Sequence, residues 1–428
     1  MREMKDSGVA WIGAVPSDYR TASIGSLFTI KKDIIGREPE TVLSITQTGI
    51  RPKDLSSNEG QNASSYAHYQ IVNVGDFAMN HMDLLTGWID ISKYEGVTSP
   101  DYRVFTLNDK EMSADYFLRV FQYYYTNKVF FGFGQGVATL GRWRLPAINF
   151  KKIDVPVPPV LEQQRIVSAI DEKVGKVDAL IANVQAQIEK LKDYKQSVIT
   201  EVVTKGLDPA VPMKDSGIEW IGKIAETHTI FRLKYLLDSP MQYGANESGD
   251  KFIEDSVRYI RITDITADGK LKNDENNQYL PLDAADGYIL KDKDVLFARS
   301  GGTVGKSFLY QEDYGTSAFA GYLIKAECDK SALLPEYLIY YSQSSLYELW
   351  KNMIFIQATI QNIGANKYSN MEIPVPSIDE QATIVEYLEG KCAQIDRLIA
   401  IKQAKIEKME QYKRSLIYEY VTGKREVS

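Results

Sequence analysis

A chain of 428 residues, 44% apolar and 25% charged, has a globular composition and is too long for one small core, so two folded units with connecting structure are expected. No stretch approaches the ~20 apolar residues of a membrane span, and the first residues lack the basic start and apolar run of a signal peptide, so the expected location is cytoplasmic. The net charge of −7 argues against a uniformly basic nucleic-acid binder but leaves room for basic loops, while two distant cysteines (Cys328, Cys392) and three histidines give no support to a disulfide scaffold, a zinc module or another metal site.

The chain opens on Met4-Lys5-Asp6-Ser7-Gly8-Val9-Ala10-Trp11-Ile12-Gly13. From about residue 20 to 150, short β-branched and aromatic runs (Thr41 to Thr46, Tyr69 to Val74, Arg103 to Leu107) alternate with Gly, Pro and Asn, which predicts a β-rich insert. A tyrosine-rich helical stretch, Ala114 to Tyr125, comes late in it. The Phe131-Gly132-Phe133-Gly134-Gln135-Gly136 run imitates a nucleotide loop but follows a helix rather than a strand, which speaks against a cofactor site. Arg142 and Arg144 flank Trp143, with Gln135 nearby, and combine guanidinium donors with an aromatic surface suited to DNA; core packing is the competing reading for Trp143. Arg51 and Lys53 are weaker candidates. Val155-Pro156-Val157-Pro158 then imposes an extended approach to a long helix. Its Val174, Val177, Ile181, Val184, Ile188, Leu191 and Val198 recur at 3-4 spacing, the mark of a coiled-coil seam.

At residue 213 the sequence begins again. Met213-Lys214-Asp215-Ser216-Gly217-Ile218-Glu219-Trp220-Ile221-Gly222 repeats eight of the ten opening residues. The second insert, about 230 to 368, matches the first only faintly, with β runs at Arg258 to Thr263, Asp294 to Ala298 and Tyr322 to Lys325 and a helical stretch from Pro335 to Leu349. Gly301 to Ser307 is one residue short of a P-loop, whose first glycine would fall at Ser300. Arg299, Ser300 and Lys306 on such a loop suit DNA phosphates, unless the run is a plain strand-turn-strand hairpin. Gln357, Gln361 and Asn362 carry amides that pair with adenine or satisfy local backbone. Arg258 and Arg261 are weaker candidates.

Ile373-Pro374-Val375-Pro376 and Glu380-Gln381 answer Val155 to Pro158 and Glu162-Gln163 at an offset of 218, and that offset holds without a gap through Asp178/Asp396, Tyr194/Tyr412, Lys195/Lys413 and Val203/Val421. The second seam is Cys392, Ile395, Ile399, Ile406, Met409 and Leu416. Lysines sit at the same position of both seams, Lys195 and Lys413, and Lys402 replaces Val184; polar seam residues fix register at some cost in stability. Ser377 with Glu380 spells a capping box. The helices either pack on their own domains or pair with each other, and two matched seams favour pairing. The expected fold is α+β: β-rich domains at 1–158 and 208–376, joined by two long antiparallel coiled-coil helices at 159–207 and 377–428, pseudo-two-fold and circularly organised. At ~1.5 Å per residue each helix spans on the order of 65 Å, enough to hold two modules one or two DNA turns apart.

These boxes, the Pro-x-Pro entries with Glu-Gln, the helix end Ser197 to Gly206, the Asp294 to Lys306 run and the Gln357 to Ile363 run together resemble the specificity subunits of type I restriction-modification systems, over essentially the whole chain. The resemblance implies a non-catalytic subunit whose two inserts are target recognition domains for the halves of a split site on double-stranded DNA, with the paired helices as a ruler. It also implies two modification subunits as partners, which carry S-adenosylmethionine and methylate adenine, and restriction subunits that translocate and cut; no cofactor and no membrane belong to this chain. In the first insert, Gly75 to Asn80 replaces the Arg-Ser-Gly type of run and Gln135 to Leu140 the Gln-Asn form. A methyltransferase is the enzyme alternative, but the chain lacks an Asn/Asp-Pro-Pro-Tyr/Phe box. A coiled-coil scaffold with protein-binding inserts is the other.

Overall fold

The computed structural model describes residues 2–55, 63–136, 143–252, 254–266, 269–356 and 361–427. Its contacts divide the chain into two units: residues 1–185 with 404–428, and residues 186–403. Each unit therefore holds one insert, the half of one long helix nearest that insert, and the half of the other helix that returns to it.

Both copies of the Lys-Asp-Ser-Gly box fold as the same hairpin. Met4–Asp6 pairs with Ala14–Pro16 and Met213–Asp215 with Lys223–Ala225, antiparallel. Asp6 and Asp215 accept the N–H groups of Gly8 and Gly217 at 3.0 and 2.8 Å, and Ser7 and Ser216 those of Val9 and Ile218. Gly8 and Gly217 hold φ at +72° and +74°, the left-handed region that glycine enters without strain. The box is repeated because this turn needs its Asp, Ser and Gly together.

The inserts share a four-stranded antiparallel sheet. In unit 1 the order is Phe28–Lys31, Arg103–Leu107, Phe77–Met79, Ile89–Ile91; in unit 2 it is Gln242–Tyr243, Leu323–Ala326, Val295–Ala298, Ser307–Leu309. Aromatic rings fill the first core, with Phe77 stacked on Phe105 at 5.2 Å and Phe28 edge-on to both. The helix Ala114–Thr126 closes it, capped by Ser113, which accepts the Tyr116 N–H. Over Pro335 to Leu349 the structure differs from the expected single helix: Pro335–Tyr341 and Ser345–Ile356 are separate. The break is local chemistry, because Ser342 and Ser344 turn their hydroxyls onto the carbonyls of Ile339 and Tyr341, and Ser344 caps Tyr347.

Equivalent side chains bind each insert to the frame. Gln163, fully buried, accepts the Ser113 N–H and donates to the Pro158 carbonyl; Gln381 does the same with Leu334 and Pro376. Tyr116 donates toward the carbonyls of Pro156 and Val421, and Tyr337 toward those of Pro374 and Val203. Glu162 accepts from Tyr19 at 2.8 Å and pairs with Arg2, whereas Glu380 faces His228 at 3.3 Å. Glu380 is thus drawn away from a reciprocal capping box, and only its N–H reaches the Ser377 hydroxyl.

The long helices run Val160–Lys205 and Ile378–Val421 and end at Gly206 and Gly423, both at positive φ, the usual helix stop. Val177, Ile181, Val184, Ile406 and Leu416 are buried in unit 1, and Ile188, Cys392 and Ile395 in unit 2; Val174, Leu191, Ile399 and Met409 are half-buried. Pairing is antiparallel. In unit 2 Lys402 donates to Gln187 at 2.6 Å and Lys195 to Asp396 at 2.7 Å; in unit 1 Lys413 reaches Asp178 at 2.6 Å. The last two contacts exchange equivalent residues, so the seam lysines sit at the flank of the interface with carboxylate partners. Residues 2 and 426 meet in unit 1, where the Arg2 N–H donates to Glu426.

Candidate nucleic-acid interface

In each unit a buried aspartate starts the path to the candidate residues. Asp76 accepts the Asn73 N–H at 2.9 Å and pairs with Lys31 at 2.6 Å; Asp294 accepts the Lys291 N–H at 2.9 Å and lies 3.8 Å from the Lys325 ammonium. Burial raises the carboxyl pKa of Asp294. The Gly75 to Asn80 run is therefore the structural counterpart of the run at Asp294. The strands behind these aspartates turn through matching loops, closed by Asn80 N–H to Trp88 carbonyl at 2.9 Å and by Ala298 N–H to Lys306 carbonyl at 2.8 Å. Gly301 to Ser307 is a strand-turn-strand hairpin, as the simpler sequence reading has it, with Phe297 opposite Ser307.

A second segment crosses each loop. The Leu145 N–H donates to the His81 carbonyl at 2.9 Å, and the Ile363 N–H to the Arg299 carbonyl at 2.8 Å. In unit 2 this brings together Arg299, Ser300 and Asn362, with Ser300 bridged to Asn362 and Gln361 adjacent and exposed. The Arg299 guanidinium lies 4.9 Å over the Tyr243 ring, and its Nε is buried without a partner. Tyr243 accepts the Ala365 N–H at 2.9 Å while staying 41% exposed, and Tyr322, 61% exposed, accepts the Arg299 N–H on its carbonyl at 3.0 Å. Lys306 is half-buried at the far side of the turn.

In unit 1 Gln135 and Arg144 are bridged through their backbones, and both side chains are exposed. Trp143 packs inward: it stacks on Phe131 at 4.9 Å and donates its indole N–H to the Phe131 carbonyl at 2.8 Å. A Cβ at Gly134 or Gly136 would come within 2.4 Å of the indole, so these glycines make room for a ring and form no phosphate cradle. His81, half-buried, holds by its carbonyl the residue next to Arg144. Burial, then the charges of Arg103 and Arg144, push its imidazole down to about 3, so it is neutral near pH 7. Arg103 is buried, donates to the Leu145 carbonyl at 2.8 Å and covers the Phe150 ring at 4.6 Å.

Arg142 and Gln357 lie outside the described residues. Two of the weaker candidates are engaged locally: Arg261 with Asp264 at 2.8 Å, and Arg258 with Asn277 and the Lys272 carbonyl. Arg51 is exposed at the end of Gly49–Pro52, and Lys53 is half-buried. Sequence reasoning missed His81 and the tyrosines at 243 and 322. The 218-residue offset extended backwards would have found the first, since it aligns Leu145 with Ile363. Among the described residues no group of three or more His, Cys, Asp or Glu side chains is placed to hold a metal, and no helix is long and apolar enough to cross a membrane.

Each unit thus presents an equivalent sheet, loop and crossing segment. Residues 244–411 match the type I restriction modification DNA specificity domain. The MjaVIII specificity subunit of Methanocaldococcus jannaschii is 27% identical over 64% of this chain and 63% of its own length; the putative MjaX specificity subunit of the same organism is 22% identical over 96% and 95%. The EcoKI specificity subunit of Escherichia coli is 25% identical over 58% of this chain and 53% of that subunit. Two of these three alignments thus span less than two thirds of the relative. A solved chain from work on assembly and conformational transition of a type I restriction-modification system shares the fold, with a TM-score of 0.68 at 14% identity over 95% of this chain and 98% of that one. Residues 244–411 thus carry the sequence of the type I restriction-modification DNA specificity domain, and the chain as a whole shares the fold of that solved chain.

Proposed function

We propose that the chain is the non-catalytic DNA-reading subunit of a type I restriction-modification complex, with recognition domains at 1–158 and 208–376 reading the two halves of an asymmetric split site and helices at 159–207 and 377–428 setting the gap. One observation carries this reading: both units present the same sheet and crossing segment, but expose different polar side chains on it, Arg144 in one and Asn362 in the other. A reader of a palindrome would repeat its contact residues. The modification subunits bring S-adenosylmethionine and methylate adenine, and the restriction subunits translocate and cut. Support for two like partners comes from exposed apolar residues that recur 218 apart on the helices, Leu180 with Leu398 and Tyr194 with Tyr412.

Methylome sequencing of a host with and without this chain tests the reading. A two-part motif should lose its methylation when the chain is removed. With modification subunits present, unchanged methylation on removal would refute it, and a scaffold with protein-binding inserts would then fit better.

A further inference from the structure

On the footing that each unit reads DNA, we infer that base choice in each half is made by a two-position reading head: His81 with Arg144 in unit 1 and Arg299 with Asn362 in unit 2. In both units the strand behind the buried aspartate leads to the residue whose carbonyl takes the N–H of the crossing segment, His81 in one and Arg299 in the other. The residue just before that N–H donor is Arg144 or Asn362, exposed in both cases. The donors Leu145 and Ile363 stand 218 apart, so the spacing of the frame runs unbroken into the heads. Backbone is kept here while side chains change, as two half-sites of different sequence require.

The chemistry differs accordingly. Arg299 has a buried, unpartnered Nε and holds its guanidinium 4.9 Å over the Tyr243 ring; the fork of donors of an arginine matches O6 and N7 of guanine. The Asn362 amide offers one donor and one acceptor, the pattern that pairs with N6 and N7 of adenine. In unit 1 the outer position is itself an arginine, exposed and bridged through its backbone to Gln135. The carbonyl of half-buried His81 holds the crossing segment, so His81 is a positioning residue and the exposed Arg144 the contact, its donor fork directed at guanine.

The test uses the full complex with its modification subunits and reads both the methylated motif and oligonucleotide affinity. Arg144→Asn and Asn362→Arg change exposed side chains and should fold. Arg144→Asn should lower discrimination at one base of one half-site by about ten- to a hundredfold and leave the other half intact, and Asn362→Arg should do the same to the opposite half. Unchanged motifs would overturn the assignment. So would a loss of affinity equal for all sequences with a salt slope reduced by about one, the signature of a phosphate contact. If the unaltered chain directs methylation to no motif at all, the DNA-reading function itself falls, an outcome distinct from a misplaced head.

Discussion

At the residue scale, the Glu-Gln signature separates into two tasks. Gln163 and Gln381 are fully buried and satisfy backbone groups on both sides of the helix entry. Replacing Gln163 by Leu leaves the Ser113 N–H and the Pro158 carbonyl without those partners, and a buried orphan group costs about 1–3 kcal/mol. Gln163→Leu should therefore lower the urea midpoint of unit 1 by an amount equivalent to at least ~2 kcal/mol, and Gln381→Leu should act on unit 2. His81 gives a pH signature. Its folded pKa, down to about 3, lies below the ordinary value of about 6.5, so the unfolded chain binds the extra proton between these values. The stability that depends on the neutral imidazole is present above pH ~6.5 and is lost as pH falls toward 3. Urea midpoints measured across that range should slope more steeply for the native chain than for His81→Gln. Equal slopes would contradict the buried, neutral state.

At the element scale, the long helices make the clearest quantitative case. Lys195 with Asp396 and Lys413 with Asp178 are equivalent pairs whose side chains remain about a quarter to a half exposed. Exposed pairs contribute only ~0.2–1 kcal/mol, so Lys195→Glu should cost little on its own, and adding Asp396→Lys should restore what is lost. Register and alignment are the work of these pairs; burial of Val177, Ile181 and Ile188 supplies the stability. Deleting one helical repeat at matched positions in both helices should shorten the gap in the methylated motif and leave both half-sites unchanged. A changed half-site would contradict the ruler. These helices were legible in the sequence because a 3-4 apolar spacing is local and here runs from Val174 to Val198 and again from Cys392 to Leu416. The inserts were legible only as β-rich: sheet order depends on which distant strands meet, and no local pattern in Arg103 to Leu107 says that it lies between Phe28–Lys31 and Phe77–Met79. The break at Ser342 to Ser344 was hidden in an apolar periodicity that continues across it. The reading heads were half legible, since Arg299, Ser300, Asn362 and Arg144 stood out by type, whereas His81 joins them through one backbone hydrogen bond between segments sixty-four residues apart.

At the scale of the whole molecule, duplication explains why so many contacts come in equivalent sets. The end of each long helix is tied down in the unit built by the other repeat: Tyr116 reaches the Val421 carbonyl and Tyr337 that of Val203. Since Arg2 also meets Glu426, joining the ends and reopening the chain near residue 208 should preserve the fold. Such a permutant is expected to be soluble and to direct the same methylation motif; an insoluble product without specific DNA binding would count against this layout. The same division of the chain sets how it responds to load. Unit 1 is assembled from residues 1–185 and 404–428, and unit 2 is the continuous stretch between them. A force applied between residues 2 and 427 must first peel unit 1 apart before tension reaches unit 2. An optical trap should record two rips in fixed order, whichever unit is intrinsically the weaker.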